Sequence, residues 1–98
     1  MTQPKCTVVA IFHPKPEQLK NVRELLLAIS KEVLLEDGCE AYQLHEGVKG
    51  ELVFIETWTT RDLWEIHNSA DTVKSIRAGI SGKLECDVEV FELYEASL

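Results

Sequence analysis

Long apolar runs are missing from this 98-residue chain. The apolar stretch at residues 25–29 falls far short of the roughly 20 residues that cross a bilayer. The N-terminus, Met1-Thr2-Gln3-Pro4-Lys5, lacks the apolar core of a secretory signal. Cysteine is scarce: Cys6, Cys39 and Cys86 form no close pair and no metal-ligand spacing. An odd count without a secretory segment implies reduced thiols, small buried hydrophobes of a cytoplasmic protein. A glycine-rich phosphate loop, a nucleophile elbow and a cluster of ligating side chains are all absent, so neither a nucleotide nor a metal cofactor is expected. Positive charge is also short, with 10 Lys and Arg against 17 Asp and Glu and a net charge of −7. That balance argues against nucleic acid or an anionic membrane as the main partner, since both call for a cationic surface. No internal repeat, low-complexity segment or linker breaks the chain, and residues 1–98 are expected to form one domain.

What is present is an ordinary globular composition, 45% hydrophobic and 28% charged. Cys6–Phe12 is a β-branched apolar run, read as a strand buried on both faces. His13-Pro14-Lys15-Pro16 ends it, and Pro16 suits the first position of a helix. Leu19, Val22, Leu26, Ile29 and Val33 then fall on one helical stripe, widened by Leu25, Ala28 and Leu35, and Gly38 supplies a left-handed stop. Cys39–Glu46 is a weaker strand, with Tyr42 on the opposite parity from Cys39. Gly47-Val48-Lys49-Gly50 turns it antiparallel into a third strand over residues 51–58.

Thr59 with Asp62 reads as a capping-box variant at the next helix start. Leu63, Ile66 and Ala70 are expected to be buried there, and a restart near Ser69 and Asp71 continues through Val73, Ile76 and Ile80. Residues 84–94 complete the pattern as a fourth strand. Strand–helix–strand–strand–helix–strand predicts an α+β, ferredoxin-like βαββαβ fold: a four-stranded antiparallel sheet with its helices on one face. The other face is expected to carry Val8, Ala10 and Phe12 with Phe54, Glu56 and Trp58, too apolar for water and so covered by a second subunit or a ligand.

The stretch from Glu51 to His67 concentrates the candidate chemistry. Phe54, Glu56 and Trp58 share a strand face, and Trp64 and His67 share a helix face just downstream. Two indoles, a carboxylate and an imidazole can therefore converge at one strand–helix junction. Each has a plainer role: tryptophans fill small cores, and a buried carboxylate accepts hydrogen bonds.

Glu36-Asp37-Gly38-Cys39 followed by Tyr42, then Glu56-Thr57-Trp58, then Leu63 and His67 resemble the signature of the antibiotic biosynthesis monooxygenase family. The resemblance spans nearly the whole chain. It implies a homodimer joined through the open sheet face into an α/β barrel. Members include cofactor-free quinol-forming monooxygenases, an isomerase of a phosphorylated signalling sugar and haem-degrading relatives. Two departures stand out. His67 lacks the second histidine that many members carry a few residues on, and Phe54 stands where the polyketide oxygenases have asparagine. Lys74-Ser75-Ile76-Arg77 offers no axial histidine, so haem is not expected.

The resemblance therefore implies a cofactor-independent monooxygenase of a small quinol-like or aromatic substrate. His67 is the candidate base and Glu56 its helper, with Trp58, Trp64, Phe54, Phe12, Tyr42 and His13 around the substrate. Two alternatives stand beside it: a cofactor-free isomerase or lyase of a small carbonyl compound, and a non-enzymatic dimeric domain that binds a small ligand.

Overall fold

In the computed structural model, residues 3–97 are described. Met1 and Thr2, part of the N-terminal stretch read above for a secretory core, and Leu98 lie outside them. The strands are β1 (Cys6–Phe12), β2 (Cys39–Glu46), β3 (Leu52–Trp58) and β4 (Glu89–Leu93). The helices are α1 (Leu19–Val33), α2 (Arg61–Asn68) and α3 (Asp71–Ile80), with a 3-10 turn at Pro16–Gln18 leading into α1. The sheet order is β2-β3-β1-β4 and every pairing is antiparallel, which is the ferredoxin-like arrangement. No helix among the described residues is long and apolar enough to cross a membrane.

β1 and β3 pair from Cys6 opposite Trp58 to Phe12 opposite Leu52. Their alternation puts Cys6, Val8, Ala10 and Phe12 beside Leu52, Phe54, Glu56 and Trp58 on one face, all buried. Val22, Leu26, Ile29 and Val33 of α1, with Ile76 and Ile80 of α3, join the same core. This corrects the expectation about the sheet. The face carrying Phe54, Glu56 and Trp58 is the one beneath the helices, not the open one. Alternation separates two faces but does not say which of them the helices take, and here the larger side chains went where enclosure is complete. Each such burial is worth roughly 1.5–3 kcal/mol.

The open face carries Thr7, Val9, Ile11, Val53, Ile55, Phe91 and Leu93. Ile55, Val9 and Phe91 pair directly across three strands, and Ile55 and Phe91 are 42% and 47% exposed. An apolar row therefore does cross the uncovered surface, built from the other parity.

Several local expectations shift. The cap of α2 is Thr60, whose side chain accepts from the Leu63 N–H at 3.2 Å, while Thr59 donates its hydroxyl to Glu40 at 3.0 Å. The buried stripe of α2 is Trp64 and His67, with Ile66 67% exposed. Leu35 lies outside the core, Cys86 is exposed and Cys39 is only half-buried. β4 begins at Glu89, with Leu84 making an isolated bridge to Pro14.

Gly38, at φ +82°, is required twice over. Its conformation suits only glycine comfortably, and a Cβ there would lie 2.5 Å from Leu63 Cδ1. Its carbonyl accepts the Thr59 N–H at 2.8 Å, which ties the end of β3 to the loop after α1.

Candidate active site

A cavity of about 100 Å³ opens between the sheet and the α2–α3 pair. Phe12, Tyr42, Phe54, Glu56, Trp64 and His67 line it. Strand alternation delivers Phe12, Phe54 and Glu56 to the helix-covered face. A bulge between Cys39 and Ala41 brings Tyr42 opposite Glu56 on that face, so Cys39 and Tyr42 share a side despite their spacing. The sequence reading had separated them. Trp64 and His67, three apart on α2, point down together.

The aromatic rings order one another. Tyr42 stacks on Phe54 with centroids 4.2 Å apart, and Phe12 meets Phe54 edge-on at 6.0 Å. Trp58 stacks on the His67 ring at 4.6 Å with a 29° interplanar angle, and Tyr42 meets that ring edge-on at 5.7 Å. Trp58 is fully buried and does not line the cavity; it forms the floor under the imidazole. His13, the residue after Phe12, does not line the cavity and pairs instead with Glu89 at 2.7 Å.

His67 is held by a partner that sequence reading did not single out. Its Nδ1 lies 2.9 Å from Glu36 Oε1, and Glu36 Oε2 accepts the Thr72 hydroxyl at 2.7 Å. A carboxylate on Nδ1 fixes the proton there and leaves Nε2 as the basic nitrogen, an assignment that follows from the hydrogen-bond network. Nε2 has no partner among the described residues, yet no fully buried side-chain nitrogen or oxygen among them lacks one. It therefore reaches open space, and the space beside it is the cavity. The available signal was Glu36 in the loop before Gly38; nothing in the spacing ties it to a histidine 31 residues on.

Glu56 was the expected helper of His67, but its contact is different: Oε1 accepts the Trp58 indole N–H at 2.9 Å. Burial drives its pKa up to about 7, moderated by that hydrogen bond and reinforced by the Glu36 charge. Near neutral pH the carboxyl is thus a proton donor as often as an acceptor. Burial, with the charges of Glu56 and Glu36, also pushes the Tyr42 hydroxyl up, so it stays protonated and can donate. The Cys39 thiol rises to about 11 from burial and the same two charges, which leaves it un-ionised and a poor nucleophile. Among the described residues, no three His, Cys, Asp or Glu side chains come together to hold a metal ion.

The fold and the cavity together define a ferredoxin-like α+β domain with a small aromatic chamber between sheet and helices, served by an oriented imidazole. Comparison with known proteins then gives the family. Residues 6–79 match the model of the antibiotic biosynthesis monooxygenase family, and the chain belongs to it. Rv0793 of Mycobacterium tuberculosis, whose name proposes a monooxygenase, is 34% identical over 91 residues, covering 92% of this chain and 89% of the relative. Its structure superposes with a TM-score of 0.88 at 30% identity over 96% of this chain and 97% of that one. A conserved protein from Methanosarcina mazei also reaches 0.88, at 24% identity over 96% and 95% of the two chains. PA3566 of Pseudomonas aeruginosa reaches 0.88 at 21% identity over 99% of each, and both likenesses show the fold.

Proposed function

We propose that this chain is a cofactor-independent monooxygenase of a small, single-ring dihydroxyaromatic, acting as a dimer. One observation carries the reading: His67, clamped by Glu36, turns a basic nitrogen toward an aromatic-lined cavity. Cofactor-free oxygenation needs a substrate that reduces dioxygen itself, and removing a phenolic proton makes the ring electron-rich enough. The size of the cavity favours one ring. At about 100 Å³ it is smaller than the roughly 150 Å³ cavity that encloses benzene, so a ring enters with modest adjustment and a polycycle does not.

His67 Nε2 takes the phenolic proton, and the Glu36 carboxylate offsets the charge that appears on the imidazole. The electron-rich ring then reduces dioxygen. A hydroquinone and O2 give a hydroxyquinone and water: four electrons leave the aromatic, one oxygen atom enters the ring and the other departs as water. The proton held by His67 returns to the departing oxygen. The Tyr42 hydroxyl and protonated Glu56 stand ready as donors to the oxygen atoms of the ring. The family relationship and the relative named for a monooxygenase support the class of reaction.

The dimer rests on the open face. Its row of Ile55, Val9 and Phe91 is the kind of surface that a second copy covers.

A second reading is favoured by Glu56, a carboxyl poised near neutrality that lines the same cavity as His67. A base and an acid facing one cavity can shift a proton beside a carbonyl without oxygen. The test is oxygen uptake over a panel of single-ring hydroquinones, with wild type and His67→Ala. Uptake lost by at least 10²-fold in the variant is expected. Unaltered uptake in the variant, or none by wild type, refutes the oxygenase reading. Anaerobic product formation by the wild type identifies the proton-shift enzyme.

A further inference from the structure

The cavity carries one full positive charge at its rim, and the chemistry proposed above does not use it. Arg77 of α3 lines the opening with Asn68, and both are exposed. No other Arg or Lys lines the cavity. The chain has three arginines. Arg61 is bound by Glu65 and Glu92, and Arg23 lies 3.6 Å from Glu46. Among the described residues Arg77 has no carboxylate and no hydrogen-bond partner, although the chain holds 17 acids. Its neighbours three and four positions away on the helix and just beyond it, Val73, Lys74, Ile80 and Ser81, offer none.

We propose that Arg77 anchors a carboxylate borne by the substrate ring, so that the preferred substrate is a dihydroxyaromatic acid and not a neutral hydroquinone. The inference rests on the reading above only in placing a ring in the cavity, not in its oxygen chemistry. The inner wall presents Tyr42, Glu56 and His67, groups that exchange or donate protons to ring hydroxyls. The rim presents a planar guanidinium whose fork matches the two oxygens of a carboxylate. A dihydroxybenzoate carries its hydroxyls and its carboxylate at separate ring positions, which matches a cavity lined by both kinds of group. A phosphate dianion fits less well, because one guanidinium leaves a charge uncompensated in a cavity that Glu56 also lines. The plainer role of Arg77, a cation among the last carbonyls of α3, predicts no ligand preference.

The experiment compares 2,5-dihydroxybenzoate with hydroquinone by calorimetric titration without oxygen, in wild type, Arg77→Gln and Arg77→Lys. Wild type should bind the acid on the order of tenfold more tightly than hydroquinone. Arg77→Gln should abolish that preference and leave hydroquinone affinity within about twofold, and Arg77→Lys should keep part of it. A preference that survives in Arg77→Gln overturns the proposal. So does a wild type that binds both equally, or neither. Because oxygen is excluded, an absence of oxygenase activity leaves this result standing and the two failures are distinguishable.

Discussion

Glu56→Gln should make the protein more stable, and only above a definite pH. Glu56 is buried, and its pKa stands at about 7 against an ordinary 4.5. The folded protein therefore keeps a proton between those values that the unfolded chain has already released. Where the unfolded state binds fewer protons, stability falls as pH rises. The contribution of Glu56 is thus complete below about 4.5, declines across the window and is gone above about 7. At about 1.4 kcal/mol per pH unit the decline amounts to about 3 kcal/mol. Glutamine is nearly isosteric, cannot ionise and can still accept the Trp58 indole N–H through its amide oxygen. Urea unfolding followed by tryptophan fluorescence, at matched protein concentration from pH 4 to pH 8.5, gives the two stability profiles. Groups shared by both proteins cancel in the difference. The difference should be small at pH 4 and rise to as much as about 3 kcal/mol in favour of the variant at pH 8. A flat difference, or one that grows toward low pH, refutes the assignment of a neutral buried carboxyl.

Gly38→Ala should destabilise by about 2–3 kcal/mol, lowering Tm by on the order of 10 °C, since the new Cβ meets Leu63 Cδ1 at 2.5 Å in a left-handed backbone; calorimetry checks it. Glu36→Gln should leave Tm nearly unchanged but cut kcat on any accepted hydroquinone by about 10²–10⁴-fold, because the carboxylate no longer fixes the Nδ1–H tautomer of His67. Steady-state kinetics read that loss, and a variant with wild-type kcat contradicts it. Ile55→Lys, in the centre of the open face, should convert a dimer into a monomer at micromolar concentration by sedimentation, with little change in the secondary structure seen by circular dichroism.

Much of the fold was legible because it is written in local pattern. The 2-residue alternation of β1 and β3, the helical stripe from Val22 to Val33 and the glycine-bracketed turn at Gly47 and Gly50 each act over a few residues. Alternation could not say which face the helices cover, since β1 is apolar on both. The cap of α2 falls one residue later than Thr59 because Thr59 and Thr60 are adjacent and equally suited, and the Thr59 hydroxyl is occupied by Glu40 and the Gly38 carbonyl. The end of the fourth strand fared similarly: residues 84–94 alternate, but only Glu89–Leu93 find a partner in β1.

The cavity was harder to read than the sheet. Glu56, Phe54, Trp64 and His67 were visible as one short stretch, and they do meet around one cavity. The Glu36–His67 and Thr72–Glu36 contacts join residues 31 and 36 apart, and no periodicity encodes a contact between a loop and a helix at that separation. Trp58 shares the face of Phe54 and Glu56, as strand parity predicts, but that face lies beneath the helices, and complete burial makes Trp58 the support under the imidazole and not a wall of the cavity. His13 adjoins Phe12 at the end of β1, but it is paired with Glu89 and does not line the cavity, and no local pattern encodes that long-range contact.

The most direct test of the central claim is a crystal structure grown with hydroquinone in the absence of oxygen. The ring should lie against Phe54 and Trp64, with one phenolic oxygen within roughly 2.6–3.2 Å of His67 Nε2. A ring bound outside the cavity, or an Nε2 turned away from the phenol with Nδ1 released from Glu36, would contradict the account.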